Sequence, residues 1–156
     1  MRVKILAIGK KIPNWANDTI ETFLKRIPKP YTPQIMTFST PKRQANAPAS
    51  GYKAQEAKML LECIKPDDFV IALDETGASY DSQTFAKKLE TIINQHPKLY
   101  FILGGPDGLD TQIIKRSNLV LSLSQFTFPH ALARVILVEQ IYRAWSITCQ
   151  HPYHRE

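Results

Sequence analysis

LYFILGGPDGLDTQIIKRSNLVLSL, residues 99–123, is the stretch that decides the fold. Residues 99–103 are apolar without alternation, and 119–123 are apolar but for one serine. A strand that is apolar on both sides is covered on both sides, which marks a parallel sheet rather than a half-solvated antiparallel one. Between the two runs lie the glycine-rich turn Gly104-Gly105-Pro106-Asp107-Gly108 and a short helical pattern at 109–116. Strand, turn, helix and strand in this order form one repeat unit of a parallel α/β fold.

The same alternation extends outward in both directions. Apolar patterning predicts further strands at 3–8, 34–38 and 69–73. It predicts helices at 14–26, 51–64 and 81–93, the last entered through an Asp or Ser cap. In the 51–64 helix, Ala54, Ala57, Leu60, Leu61 and Ile64 make the inner side. A final helix runs from Pro129, which suits a first turn, to about residue 147. Residues 39–50 hold two prolines and no periodicity, and read as a loop. No repeat, low-complexity tract or linker divides the chain, so 1–156 is expected to be a single α/β domain with a parallel sheet.

Composition supports this. The chain has 156 residues, 44% of them hydrophobic and 22% charged, enough to build a core. Two cysteines make neither a disulfide scaffold nor a zinc cage, and no metal site is expected. The apolar run in the basic start is too short for a signal-peptide core, and no stretch reaches the length of a membrane span. A cytoplasmic protein without a membrane partner is the expectation.

Lys and Arg number 20 against 14 acids, a net charge of +6. The balance is uneven: residues 1–58 hold eleven Lys+Arg and three acids, a net of +8, and the remainder is net −2. Most of these bases sit in or beside loop-like stretches (GKK at 9–11, KRIPKP at 25–30, PKR at 41–43), where contact residues concentrate. A polyanion is therefore an expected partner.

Ligands of open α/β sheets bind outside the carboxyl ends of the strands. Three such ends stand out: Leu73-Asp74-Glu75-Thr76-Gly77, the GGPDG turn, and Leu123-Ser124-Gln125-Phe126-Thr127-Phe128-Pro129-His130. Glycines allow a ligand close to the backbone, so a branched side chain at 104 is expected to fill the ligand's space. There is no GxxxxGK[ST], no GxGxxG and no GxSxG. The last helix is apolar nearly all round, which predicts burial on more than one side, the second side being another subunit. Glu139 and Arg143 have the spacing of a helical ion pair. The tail, CQHPYHRE at 149–156, packs imidazole, phenol, guanidinium and carboxylate groups together, although no helix is predicted there. On these grounds alone an enzyme, a non-catalytic RNA- or ribosome-binding module and a flavodoxin-like nucleotide binder all stay open.

Three segments carry a resemblance. RAWSITCQHPYHRE, ILGGPDGL and LSLSQFTFPHALARVILVEQIYRA closely resemble the bacterial RlmH family, the 23S ribosomal RNA (pseudouridine-N3)-methyltransferases of the SPOUT class. The opening VKILAIGKKIPNW fits as well, so the resemblance spans essentially the whole chain. It implies a SPOUT-type domain with a C-terminal trefoil knot, an exception to the rule of unknotted connections. It implies a homodimer that methylates 23S rRNA in the assembled 70S ribosome. Its S-adenosylmethionine (AdoMet) pocket maps to Leu73, Gly104, Leu123, Ser124, Gln125, Phe126, Thr127 and Phe128. No metal is needed, because the sulfonium is already a good electrophile. In this reading His154, then Glu156, are the candidate acceptors of the imide proton. Tyr153 stacks on a base, and Arg143, Arg155, Lys42 and Arg43 hold RNA.

Overall fold

The structure is a computed structural model that describes residues 2–39, 48–105 and 107–155. Lys42, Arg43 and Glu156 lie outside the described residues. The elements run β1 (Val3–Ile8), α1 (Asn14–Arg26), β2 (Pro33–Phe38), α2 (Ala49–Leu61), β3 (Phe69–Ser79), α3 (Ser82–Gln95), β4 (Leu99–Leu103), α4 (Thr111–Arg116), β5 (Leu119–Ser122) and α5 (His130–Thr148), closed by a 3-10 turn at Pro152–Arg155. The five strands form one all-parallel sheet in the order β2-β1-β4-β3-β5.

The two-residue period of the strands divides the core. Val3, Ile5 and Ala7 of β1, Ile71 of β3 and Leu99, Phe101 and Leu103 of β4 pack with α1, α3 and α5. Leu6, Ile8, Val70, Ala72, Tyr100 and Ile102 point the other way, against Ala57 and Leu60 of α2 and Ile113 of α4. The central strands β1, β4 and β3 are thus buried on both faces, as their uninterrupted apolar runs require.

Three elements differ from their sequence reading, each for a physical reason. β3 does not end at Leu73. It loops out over 74–77 and rejoins β5, so that Leu73 and Ala78 are both registered with Leu121. The Asp74 carboxylate accepts the backbone N–H of Thr76 at 3.1 Å and the Thr76 hydroxyl, which shapes the excursion. Gly77 lets the chain return, since a Cβ there would stand 2.7 Å from the Val120 carbonyl oxygen. In α2 the inner face is Tyr52, Glu56, Ala57 and Leu60, whereas Ala54 is exposed. Pro129 precedes α5 rather than opening it, its carbonyl accepting the Ala133 N–H at 3.0 Å.

α5 lies between α1 and α3 over the sheet. Leu137, Val138, Ile141 and Ala144 are buried there by one chain alone. Neighbours within the chain therefore account for much of the all-round apolar character. At the start of α3 the Asp81 carboxylate caps the helix, accepting the Thr84 N–H at 2.7 Å.

Candidate functional site

The three strand ends converge. A cleft of about 460 Å³ opens at the carboxyl edge of the sheet, walled by Leu73, Asp74 and Glu75 after β3, by Gly104, Gly105 and Asp107–Leu109 after β4, and by Leu123, Ser124 and 126–128 after β5. His130 and Ala133, from the first turns of α5, complete it. The size is that of a small-molecule site. Of the residues mapped from the resemblance, Leu73, Gly104, Leu123, Ser124, Phe126, Thr127 and Phe128 line the cleft, whereas Gln125 is exposed and is not part of the lining.

Local chemistry holds these walls in place. The Thr127 hydroxyl donates to Glu75 Oε2 at 2.7 Å, tying the β5–α5 segment to the β3 excursion. The Ser122 hydroxyl donates to the Ser124 carbonyl at 2.8 Å, and Ser124 Oγ accepts the Phe126 N–H at 3.0 Å. This double turn leaves Phe126 80% exposed at the mouth of the cleft. The GGPDG turn folds back on itself through a Gly105–Gly108 bridge, with the Gly108 N–H donating to the Gly105 carbonyl at 3.1 Å. A Cβ at Gly104 would meet the Gly108 carbonyl oxygen and Leu109 Cδ2 at 2.8 Å. The glycine at 104 is thus demanded by the turn itself, and the expectation that a larger residue would disturb only the ligand is corrected. A Cβ at Gly105 would stand 2.7 Å from Glu56 Oε1, so the buried α2 carboxylate underlies the same turn.

At the α5 side of the cleft, three groups meet. His130 Nε2 lies 3.2 Å from where a Cβ of Gly9 would be, and Gly9 has φ +101°. Arg134, one turn along α5 and only 3% exposed, donates from Nη2 to the Gly9 carbonyl at 3.1 Å. Among the described residues its Nε has no hydrogen-bond partner. Burial pushes the Arg134 guanidinium below its ordinary range. Desolvation, aided by the positive charge of Arg134, likewise lowers the His130 imidazole. Sequence reading passed over His130 as a site residue, although its place directly after the Phe128-Pro129 pair at the start of α5 was a usable signal.

The tail residues form a second group. Ser146, fully buried, donates to the His151 carbonyl at 2.9 Å and accepts the His154 N–H at 3.1 Å. His154 Nδ1 is 2.9 Å from the same oxygen. Tyr153 Oη donates to Glu139 Oε1 at 3.0 Å, and Arg143 pairs with that carboxylate at 2.7 Å from Nη2 and 2.9 Å from Nε. The Arg143 guanidinium lies 5.1 Å from the Tyr153 ring centre. Burial works against the charge of Arg143, and its bonds to Glu139 and Tyr153 outweigh that, leaving its proton held more tightly than usual. The Tyr153 ring meets Tyr142 edge-on at 4.5 Å. Residues 152–155 are therefore a packed 3-10 turn, where sequence reading placed no helix. Arg155 is exposed.

Ser146, which holds the tail, is about 20 Å along α5 from Ala133 of the cleft, whereas Glu139, which Tyr153 reaches, is about 9 Å from it at 1.5 Å rise per residue. A second hollow, of about 390 Å³, lies at the opposite edge of the sheet between Phe69, Lys87, Lys88 and Asn118. The amino ends of β3 and β5 border it, and its lining holds no glycine. Among the described residues no three His, Cys, Asp or Glu side chains form a metal-binding group, and no helix is long and apolar enough to cross a membrane.

Comparison with known proteins agrees with this geometry. Residues 1–154 match the family model described as "Predicted SPOUT methyltransferase". The chain is 36% identical over 155 residues to the Ribosomal RNA large subunit methyltransferase H of Coxiella burnetii, covering 99% of this chain and all of that one. It is 38% identical over 156 residues to the protein of the same name from Hahella chejuensis, covering both in full. A solved structure of a probable methylase family protein from Haemophilus influenzae superposes with a TM-score of 0.58 at 10% identity, covering 97% of this chain and 69% of that one. That last likeness is one of fold.

Proposed function

Because the chain belongs to the SPOUT methyltransferase family, we propose that it transfers a methyl group from AdoMet to N3 of a pseudouridine in 23S rRNA of the assembled 70S ribosome. The observation that carries this reading is the convergence of three turns, including 123–128 and GGPDG, on one cleft at the carboxyl edge of the sheet. The trefoil knot of this class and a cytoplasmic site of action belong to the same reading.

The residues present fit the donor. Leu73, Leu109, Leu123 and Phe128 offer apolar surface to an adenine ring, and the carboxylates of Asp74 and Glu75 favour a cationic group. Bound there, AdoMet supplies a methyl group already activated by its sulfonium. The protein's own task is to position the target base, exclude water and accept a proton. Glu75, held by Thr127, fixes one wall against the other. Lys10 and Lys11 follow Gly9 at the edge of the cleft, where exposed cations suit RNA phosphates.

The tail carries the RNA-facing groups in this reading. Tyr153 offers an aromatic face, and Arg143, Arg155 and His154 offer hydrogen-bond groups for the target nucleotide, with Lys42, Arg43 and Glu156 as further contributors. In this reading the protein is a homodimer in which the tail of one subunit reaches the cleft of the other. The test is methyl transfer from labelled AdoMet to 70S ribosomes, isolated subunits and free rRNA in parallel, with donor affinity by calorimetry. Transfer to intact ribosomes at N3 of one pseudouridine is the expected result. Donor binding without transfer to any of the three would overturn it.

A further inference from the structure

We propose that His130 is the catalytic residue that takes the N3 proton of the target base; the inference rests on the function proposed above and deepens it. Three observations carry it. First, among the described residues His130 is the only histidine lining the cleft, and its ring makes no hydrogen bond there, so a nitrogen lone pair is available to a ligand. The carboxylates nearby are engaged: Glu75 accepts from Thr127 and Asp74 from Thr76. Second, Gly9 makes room for the ring, since a Cβ there would crowd Nε2 at 3.2 Å. Third, Arg134 is buried one turn along α5 and anchored to the Gly9 carbonyl, and among the described residues its Nε has no hydrogen-bond partner.

A buried guanidinium whose Nε is left without a hydrogen bond among the described residues is costly to keep. Desolvation, aided by its charge, lowers the His130 imidazole and so favours the neutral form, the one that can accept a proton. Among the described residues the charged groups that share the cleft with the ring are Asp74 and Glu75 after β3 and Asp107 after β4, with Arg134 one turn along its own helix and Lys10 and Lys11 next in sequence to Gly9. Of these, Arg134 is the one whose charge shifts the ring. Arg134 is accordingly a positioning residue, acting through His130 and the Gly9 carbonyl.

The step balances. The N3–H proton passes to an imidazole nitrogen, the freed N3 electron pair forms the bond to the methyl carbon, and the methyl–sulfur bond breaks with its pair going to sulfur. One positive charge leaves the sulfonium and one appears on the imidazolium, so the net charge of the cleft is unchanged. Water then takes the proton.

Two readouts test this. NMR titration of the free protein should place the His130 pKa below the ordinary imidazole value of about 6.5. In Arg134→Met it should rise. Single-turnover transfer to 70S ribosomes should fall about 10²–10⁴-fold in His130→Gln, with donor affinity by calorimetry within about threefold. The wild-type rate should climb with pH through the titration of His130 and then level. The His130→Gln variant should lose that step and regain rate at alkaline pH, where the imide ionises unaided. A His130→Gln rate within about threefold of wild type at neutral pH, or a pH step that vanishes instead in His154→Gln, overturns the assignment. Wild-type transfer with an indifferent His130→Gln defeats this inference alone. Absence of wild-type transfer defeats the proposed function itself.

Discussion

The two ends of α5 are built on different principles. At its start the cleft is made of backbone: glycine turns, a hydroxyl-stapled loop and strand ends, with few charges and one imidazole. At its end the tail is made of side chains: a Tyr–Glu–Arg cluster and two histidines gathered on one buried serine. Backbone walls suit a ligand of constant shape, such as a small donor. Aromatic and cationic side chains suit a nucleotide that is drawn out and held by stacking and charge. A 19-residue helix joins the two, and the proposed function assigns them to a site that two subunits share.

The sharpest way to break that comparison is to cut the tail off. Truncation after Gln150 should lower single-turnover transfer by about 10³-fold or more, since both positioning and base contacts go, while donor affinity changes little. Mixing should then separate the two halves. A truncated chain combined with a chain carrying a ruined cleft should recover activity, because one hybrid site then joins a sound cleft to a sound tail. Neither variant alone should be active. Failure of the mixture to recover while forming mixed dimers would place cleft and tail in the same chain.

Next in size is the glycine turn. Gly104→Val drives its side chain into the Gly108 carbonyl and Leu109, so it should destabilise the fold by about 1–3 kcal/mol as well as abolish donor binding. Thermal unfolding and calorimetry on the same sample check this. Lost binding at an unchanged melting temperature would show instead that the residue faces only the ligand.

Much of this architecture was legible before any coordinates. LYFIL at 99–103 reads as a doubly covered strand because burial on both faces leaves no room for polar alternation, and β4 occupies those residues in the middle of the sheet. The cleft was legible because the carboxyl ends of parallel strands share one edge. What sequence patterning hid was nonlocal. The return of β3 after residues 74–77 depends on β5 pairing forty residues later, and the local composition there is that of a turn. Glu56 looks like a surface residue of α2 and is buried because the GGPDG turn packs over it. His154 stands out in the sequence through the density of aromatic and basic groups around it, whereas His130 lines the cleft without such neighbours in sequence.

A milder perturbation sharpens the tail end. Ser146→Ala removes the hydroxyl on which the His151 carbonyl and the His154 N–H and ring converge. Losing that buried anchor should cost about 1–3 kcal/mol and loosen residues 151–155 without altering the cleft. Hydrogen exchange should quicken at His154 while donor affinity stays constant. Protection at the wild-type level would mean that Tyr153, through Glu139 and Tyr142, holds the tail unaided.

The smallest expected effect lies at the cleft end and concerns stability rather than rate. The folded-state pKa of His130 is depressed, chiefly by desolvation and further by Arg134. In the unfolded chain the ring has its ordinary value of about 6.5. Between those two values the unfolded state binds more protons than the folded state, so stability rises with pH in that window. The contribution is complete above about 6.5 and is lost as the pH falls through the folded value. Because the ring is exposed on one side, the change should be small, visible as a modest fall in melting temperature from pH 7 to pH 5. His130→Gln should flatten that part of the profile, and so should Arg134→Met in part. Truncation after Gln150 should leave it in place, since the group responsible sits at the other end of α5. A profile that stays as it is in His130→Gln and flattens only in the truncated chain would remove the electrostatic distinction between the two ends.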